Sequence, residues 1–162
     1  MDAVKFGIVS DSHGDIKSLC SVLDFFNNNN VKNVIHLGDD IKDVSIFEGY
    51  NFEVFSVPGT RDQGYFDYEL RTKTIQIVNR NISLSHLKEC SDENAHIILF
   101  GHTHKPTCYI ENNKLFLNPG HVVNNSKRYP ISTFAVLELN EKISVYFYNL
   151  NKELFEKKEF LL

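Results

Sequence analysis

The chain has 162 residues, 42% of them apolar and 23% charged, an ordinary soluble composition and enough for one domain with a sizeable core. Net charge is −4 with no basic cluster, which argues against nucleic acid as a stably held partner. No apolar run is long enough to span a bilayer, and the N-terminus enters a strand without a signal segment, so a cytoplasmic protein is expected. Cys20, Cys90 and Cys108 are far apart and contain no Cys-x-x-Cys. They suggest free thiols rather than a disulfide framework or a thiolate zinc site.

Residues 4–9 alternate loosely and are rich in β-branched side chains, which predicts a first strand. It runs into Ser10-Asp11-Ser12-His13-Gly14-Asp15. An acid and an imidazole thus sit two apart at a strand's carboxyl end, where open α/β sheets place ligands. Asp15 suits a helix N-cap; capping leaves Asp11 and His13 without a role. Ile16, Leu19, Cys20, Leu23 and Phe26 recur at helical spacing and predict a helix to about Phe26, with Cys20 most simply in the core. Its amino end would face the same cleft and favour an anion. The polar run 27–30 ends it as a loop.

Residues 31–37 predict a second strand, running into Gly38-Asp39-Asp40. His36, inside that strand, reads as structural. A short helix is expected around residues 43–47, then a third strand at 52–57. That strand ends in Pro58-Gly59-Thr60-Arg61-Asp62. Strand, helix, strand, helix, strand implies a parallel sheet with crossovers. Tyr65, Phe66 and Tyr68 follow; they either cover the core, the favoured expectation, or offer faces for a base to stack on.

The second half changes character. Residues 72–78 and 81–85 predict a hairpin turning at Asn79-Arg80, with Ser85-His86 at its end. After a polar segment comes Ile97-Ile98-Leu99-Phe100, a buried strand, followed by Gly101-His102-Thr103-His104-Lys105-Pro106. Glycine lets the backbone turn and proline blocks resumed regular structure. His96 opens that strand and reads as structural. Residues 107–110 and 114–117 flank Asn112-Asn113, which suits a tight hairpin turn. Asn118-Pro119-Gly120-His121 is another strand-terminal turn, with His121 either supporting the cleft or a bystander. Residues 133–139 and 143–148 form a last pair, and 155–160 predict an edge strand. No repeat or linker is visible, so one domain spanning 1–162 is expected.

Asp11, His13, Asp39, His86, His102 and His104 all follow predicted strands. Packed sheets whose strands end on one side bring such residues together. Two carboxylates and four imidazoles can hold two divalent ions, one carboxylate bridging. The nitrogen-rich set suits manganese, iron, nickel or zinc and is poor for calcium.

Here the chain resembles the calcineurin-like metallophosphoesterase superfamily, in particular its small prokaryotic YfcE-type phosphodiesterase branch. The residues carrying the resemblance are Asp11-Ser12-His13-Gly14, Gly38-Asp39, Gly59-Thr60-Arg61-Asp62, His86, Gly101-His102-Thr103-His104 and Asn118-Pro119-Gly120, in the family's order over nearly the whole chain. The resemblance implies a four-layer α/β/β/α sandwich of two mixed β-sheets flanked by helices. It implies one metal on Asp11, His13 and His104, another on His86 and His102, and Asp39 bridging. It also implies a phosphodiesterase or phosphatase acting on a small phosphate ester through a hydroxide held between two divalent transition-metal ions, manganese first, with nickel, iron(II) or zinc as alternatives. Asp39, Arg61 and His102 are the residues expected to carry catalysis. A homo-oligomer is compatible with all of this.

The chain departs from the family at several positions. Thr60 stands where the family carries an Asn that binds the second metal; its hydroxyl is a shorter and poorer ligand. Arg61 stands where the family often has His or Cys. It is a poor proton donor but can pair with phosphate oxygens. Asp62 is expected to orient neighbours. Leu87 replaces a glycine after His86, and His121 replaces a small residue. The competing expectation is a scaffold of this fold kept for protein binding, as in the retromer subunit; such scaffolds lose ligands at the first Asp-x-His, which this chain keeps, and at the Asn turn, which it has changed to Thr60.

Overall fold

The computed structural model describes residues 3–77 and 79–161. In chain order the elements are β1 (Val4–Val9), α1 (Ile16–Asn28), β2 (Asn33–His36), a 3-10 helix (Ile41–Gly49) and β3 (Glu53–Ser56). Then come β4 (Thr72–Ile77), β5 (Arg80–Ser85), β6 (Ile97–Leu99), β7 (Thr107–Glu111), β8 (Lys114–Asn118), β9 (Thr133–Leu139), β10 (Ile143–Asn149) and β11 (Leu154–Phe160). They build two mixed sheets, ordered β11-β10-β9-β1-β2-β3 and β4-β5-β6-β8-β7.

The two-residue period of a strand divides its side chains between two packing layers. Phe6 and Ile8 of β1 point between the sheets, where they meet Ile35, Ile82, Leu84, Ile97, Leu99 and Leu137. Val9 points outward and joins Leu19, Val22, Leu23, Phe26 and Phe134 beneath α1. Gly7 shares that outward face, and a Cβ there would lie 2.5 Å from the Phe26 ring. Glycine therefore lets the helix settle onto the strand, burying a phenyl group that contributes about 1.5–3 kcal/mol. The outer face of the five-stranded sheet is thinner. It holds Ala95, Ile98, Phe100 and Phe116, with the Lys88 ammonium 4.4 Å from the Phe116 ring centroid.

The parallel pairs position the site. β1, β2 and β3 run parallel, so the turns holding Asp11, Asp39 and Thr60 leave the sheet on the same side. β5, β6 and β8 are likewise parallel, which groups the turns holding His86, Gly101 to His104, and Asn118. The sandwich faces these two sets of turns across one cleft.

Several expectations need correction. α1 runs two residues past Phe26 because Asn27 and Asn28 stay helical; Asn29 closes it by donating from its backbone N–H to Phe25 and Phe26 carbonyls. Its buried face is Leu19, Val22, Leu23 and Phe26, while Ile16 is exposed and Cys20 only half-buried. The expected short helix at 43–47 is the longer 3-10 helix Ile41–Gly49. Arg80 belongs to β5 and pairs with Ile77, so it is not part of the turn. The last residue of the predicted strand 72–78, Val78, lies outside the described residues. Phe66 and Tyr68 do not cover the core: they are 81% and 75% exposed, because the 3-10 turn Gln63–Phe66 carries the chain outward. Asn112 and Asn113 both take left-handed backbone, φ 50° and 59°, as a tight hairpin requires. β11 does lie at a sheet edge.

Candidate metal centre

Two groups of side chains offer convergent donor atoms: Asp11, His13 and His104, and Asp11, Asp39 and His86. Asp11 Oδ1 is common to both. It lies 3.1 Å from His104 Nε2, 3.8 Å from His13 Nε2 and 3.9 Å from His86 Nε2. Asp39 presents one oxygen to each side, Oδ1 3.4 Å from His86 Nε2 and Oδ2 3.9 Å from His13 Nε2. His104 Nε2 also lies 3.2 Å from His13 Nε2, and Asp11 Oδ1 has no hydrogen-bond partner of good geometry.

His86 shows most clearly what the cluster is suited to hold. Its ring is fully buried, and Nδ1 lies 2.7 Å from the Leu37 carbonyl oxygen. A carbonyl only accepts, so Nδ1 carries the proton and Nε2 of the neutral ring presents a lone pair. That lone pair has no partner either; it faces the oxygens of Asp11 and Asp39. Three acceptors turned toward one another repel unless a cation lies among them. The donor set of carboxylate oxygens and imidazole nitrogens fits divalent transition metals.

The backbone is bent to make this arrangement. Asp11, His13, Asp39, His102 and His104 all have positive φ, between 46° and 66°. Each such non-glycine residue costs about 1 kcal/mol or more and persists only when its surroundings impose it. Two glycines allow the close approach. A Cβ on Gly59 would lie 2.2 Å from both the backbone N and Oδ1 of Asp39, and one on Gly101 would lie 2.1 Å from Ser10 Oγ and 2.9 Å from Asp11 Oδ2. Ser10 Oγ donates to Asp11 Oδ2, as does the His102 backbone N–H at 3.1 Å. Burial by itself raises the Asp11 pKa, but His104, His86 and Ser10 together outweigh it and hold the carboxyl below its ordinary value.

The remaining expected residues lie around this cluster. The exposed His102 ring stands edge-on to His86, centroids 5.2 Å apart. Arg61 is exposed; its backbone N–H donates to Asp39 Oδ1 at 3.2 Å, and its Nη1 lies 3.3 Å from His13 Nδ1. Thr60 is half-buried in the same turn. Asp62 accepts from the backbone N–H groups of Gly59 and Ile41, at 2.7 and 2.9 Å, which is the orienting role expected of it. Asn118 donates to the Gly101 carbonyl at 2.6 Å and fixes the His-x-His turn. His121 is fully buried; its Nδ1–H donates to the His104 carbonyl at 3.2 Å and its ring stacks on His104. Burial lowers its pKa. His96 accepts from the Asn81 N–H at 2.9 Å, away from the cluster.

Sequence reasoning missed three contributors. Ser12 and Asp43 are buried and hydrogen-bonded to each other beneath the first loop, 2.8 Å apart. Tyr129 lays its ring 4.6 Å from that of His104. Asp43 has no motif to signal it; Ser12, inside Asp-Ser-His, was the one within reach.

These strand-end turns and their donors accord with the sequence motifs, and the chain belongs to the calcineurin-like phosphoesterase superfamily, whose domain model matches residues 4–142. Phosphodiesterase MJ0936 of Methanocaldococcus jannaschii is 24% identical over 160 aligned residues, covering 86% of this chain and 95% of that protein. The crystal structure of a predicted phosphoesterase from Streptococcus pneumoniae TIGR4 superposes with a TM-score of 0.76 at 26% identity, over 99% of this chain and 98% of that one. Vacuolar Protein Sorting 29 of Cryptosporidium parvum superposes over the whole of both chains, with a TM-score of 0.79 at 20% identity; at that identity the likeness is one of fold. No helix among the described residues is long and apolar enough to cross a membrane.

Proposed function

We propose that this protein is a metal-dependent phosphoesterase that hydrolyses a small phosphodiester or phosphomonoester at a dinuclear centre. The observation that carries this reading is the pair of buried, unpartnered atoms, Asp11 Oδ1 and His86 Nε2, both turned toward Asp39. One ion would take Asp11, His13 and His104. The other would take His86 and His102 with help from Thr60, and Asp39 would serve both. Bound there, two divalent cations supply Lewis acidity, offsetting phosphoryl charge and acidifying water.

The chain's own groups prepare the site for that chemistry. Ligation through His13 Nε2 needs the ring proton on Nδ1, the side on which the Asp40 carboxylate lies, its Oδ2 3.8 Å away and outside hydrogen-bond reach. Arg61 also donates and cannot share a protonated Nδ1. Its guanidinium is then free to pair with phosphate oxygens, a geometry its planar fork suits. The Leu37 carbonyl holds His86 in its ligand tautomer, and the Gly101 turn brings His104 against Asp11.

A second reading has its own support. Phe66, Tyr68 and Leu70 are 81%, 75% and 55% exposed beside the Arg61 turn, a surface that suits a protein-binding scaffold of weak or no activity. The test is nitrophenol release from a generic phosphodiester with added manganese. Activity lost in His104→Ala and Asp39→Asn supports the enzyme; buffer-level release with excess manganese leaves the scaffold.

A further inference from the structure

Beneath the ligand cluster lies a second set of buried polar groups that offers nothing to a metal. Ser12 and His36 are fully buried and Asp43 is 3% exposed. The three come from the β1 loop, the end of β2 and the 3-10 helix Ile41–Gly49. Their hydrogen bonds run in one direction. The Gly38 N–H donates to His36 Nδ1 at 3.1 Å, so the neutral ring carries its proton on Nε2. Nε2 lies 2.9 Å from Ser12 Oγ and donates to it. Ser12 in turn donates to Asp43 Oδ2 at 2.8 Å, and the Gly14 N–H donates to the same oxygen at 3.0 Å.

The members of this chain bracket the strained ligands. Ser12 sits between Asp11 and His13, with φ 54° and 46°. Gly38 precedes Asp39, φ 59°. Asp43 closes the turn after Asp40 through its own N–H, 2.9 Å from the Asp40 carbonyl. A left-handed backbone relaxes unless its neighbours hold it, and buried, fully paired networks supply rigidity of that kind.

We infer that Ser12, His36 and Asp43 are positioning residues: their hydrogen-bonded chain locks the β1 and β2 loops together and holds Asp11, His13 and Asp39 in ligand geometry. The inference rests on the metal-centre reading above. Groups that orient metal ligands in this way are typically worth about 10–100-fold in metal affinity.

The test compares Asp43→Ala, Asp43→Asn and Ser12→Ala, with Phe116→Leu on the far face of the five-stranded sheet as a control. Mn2+ affinity is measured by calorimetry and ligand geometry by the visible spectrum of the Co2+ form. Asp43→Ala and Ser12→Ala should weaken Mn2+ binding by about 10-fold or more and shift the Co2+ bands. Asp43→Asn keeps an oxygen that accepts from both Ser12 and Gly14 and should stay within about threefold of wild type. The control should lower Tm while leaving affinity and spectrum alone. Wild-type affinity and an unchanged spectrum in both Asp43→Ala and Ser12→Ala would overturn the inference, whatever their Tm. Should Asp43→Ala fail to fold, Ser12→Ala carries the comparison. Amide exchange at Gly14 and Gly38 in chelator-stripped protein reads the chain without metal. Faster exchange in the alanine variants supports it and unchanged exchange refutes it, even if the wild type bound no Mn2+ and the metal reading itself fell.

Discussion

Stripping metal from the protein should cost a large and measurable share of its stability. Asp11 Oδ1 and His86 Nε2 are buried without partners, and an unpaired buried polar group costs about 1–3 kcal/mol. Relieving both at mid-range gives about 4 kcal/mol, close to the roughly 4 kcal/mol that linkage allows for a ligand at about 1,000 times its Kd. At this chain length 1 kcal/mol moves Tm by about 2–4 °C, so saturating Mn2+ should raise the Tm of chelated protein by roughly 10 °C. Differential scanning calorimetry at fixed protein concentration, with Mn2+ titrated into chelator-treated protein, measures the shift. Asp39→Asn and His104→Ala should lose most of it. A Tm that stays within about 1 °C across millimolar Mn2+ would mean that these atoms are not ligand atoms.

Gly101→Ala puts a methyl group 2.1 Å from Ser10 Oγ and 2.9 Å from Asp11 Oδ2; it should destabilise by about 1–3 kcal/mol in urea and weaken Mn2+ in calorimetry. Thr60→Asn should raise the metal count toward two per chain and increase turnover; unchanged elemental analysis and rate would clear Thr60 as a weak point. His36 gives a pH signature. Burial lowers its pKa from 6.5 to about 4, so between those values the unfolded chain binds more protons than the folded one. The His36 contribution is therefore intact above pH 6.5 and falls away by about 3 kcal/mol as pH drops to 4. Urea midpoints at pH 7, 6 and 5 should show this slope, and His36→Gln should lessen it.

Much of the framework was legible because it is local. The β1 alternation, the α1 spacing, the Asp15 cap, which accepts from the Ser18 N–H at 3.1 Å, and the Asn112-Asn113 turn each follow from a few neighbouring residues. The candidate site residues were legible for a related reason: each follows a strand, all but His86 with a glycine close by, and parallel pairing carries such ends to one side. The Phe66 and Tyr68 expectation failed because an aromatic residue in a loop has no period to say which way it faces.

By itself, then, the sequence determined which residues enter strands, which face of each strand is apolar, and which acids and imidazoles stand where strands stop. Only the folded chain decided that Asp11 Oδ1 serves both triads, that the Leu37 carbonyl sets the His86 tautomer, and that Ser12, His36 and Asp43 brace the loops from below. Those relations join residues 24 to 93 positions apart. Hydrogen-bond direction and lone-pair orientation depend on atoms in space, and no local pattern of residues encodes them.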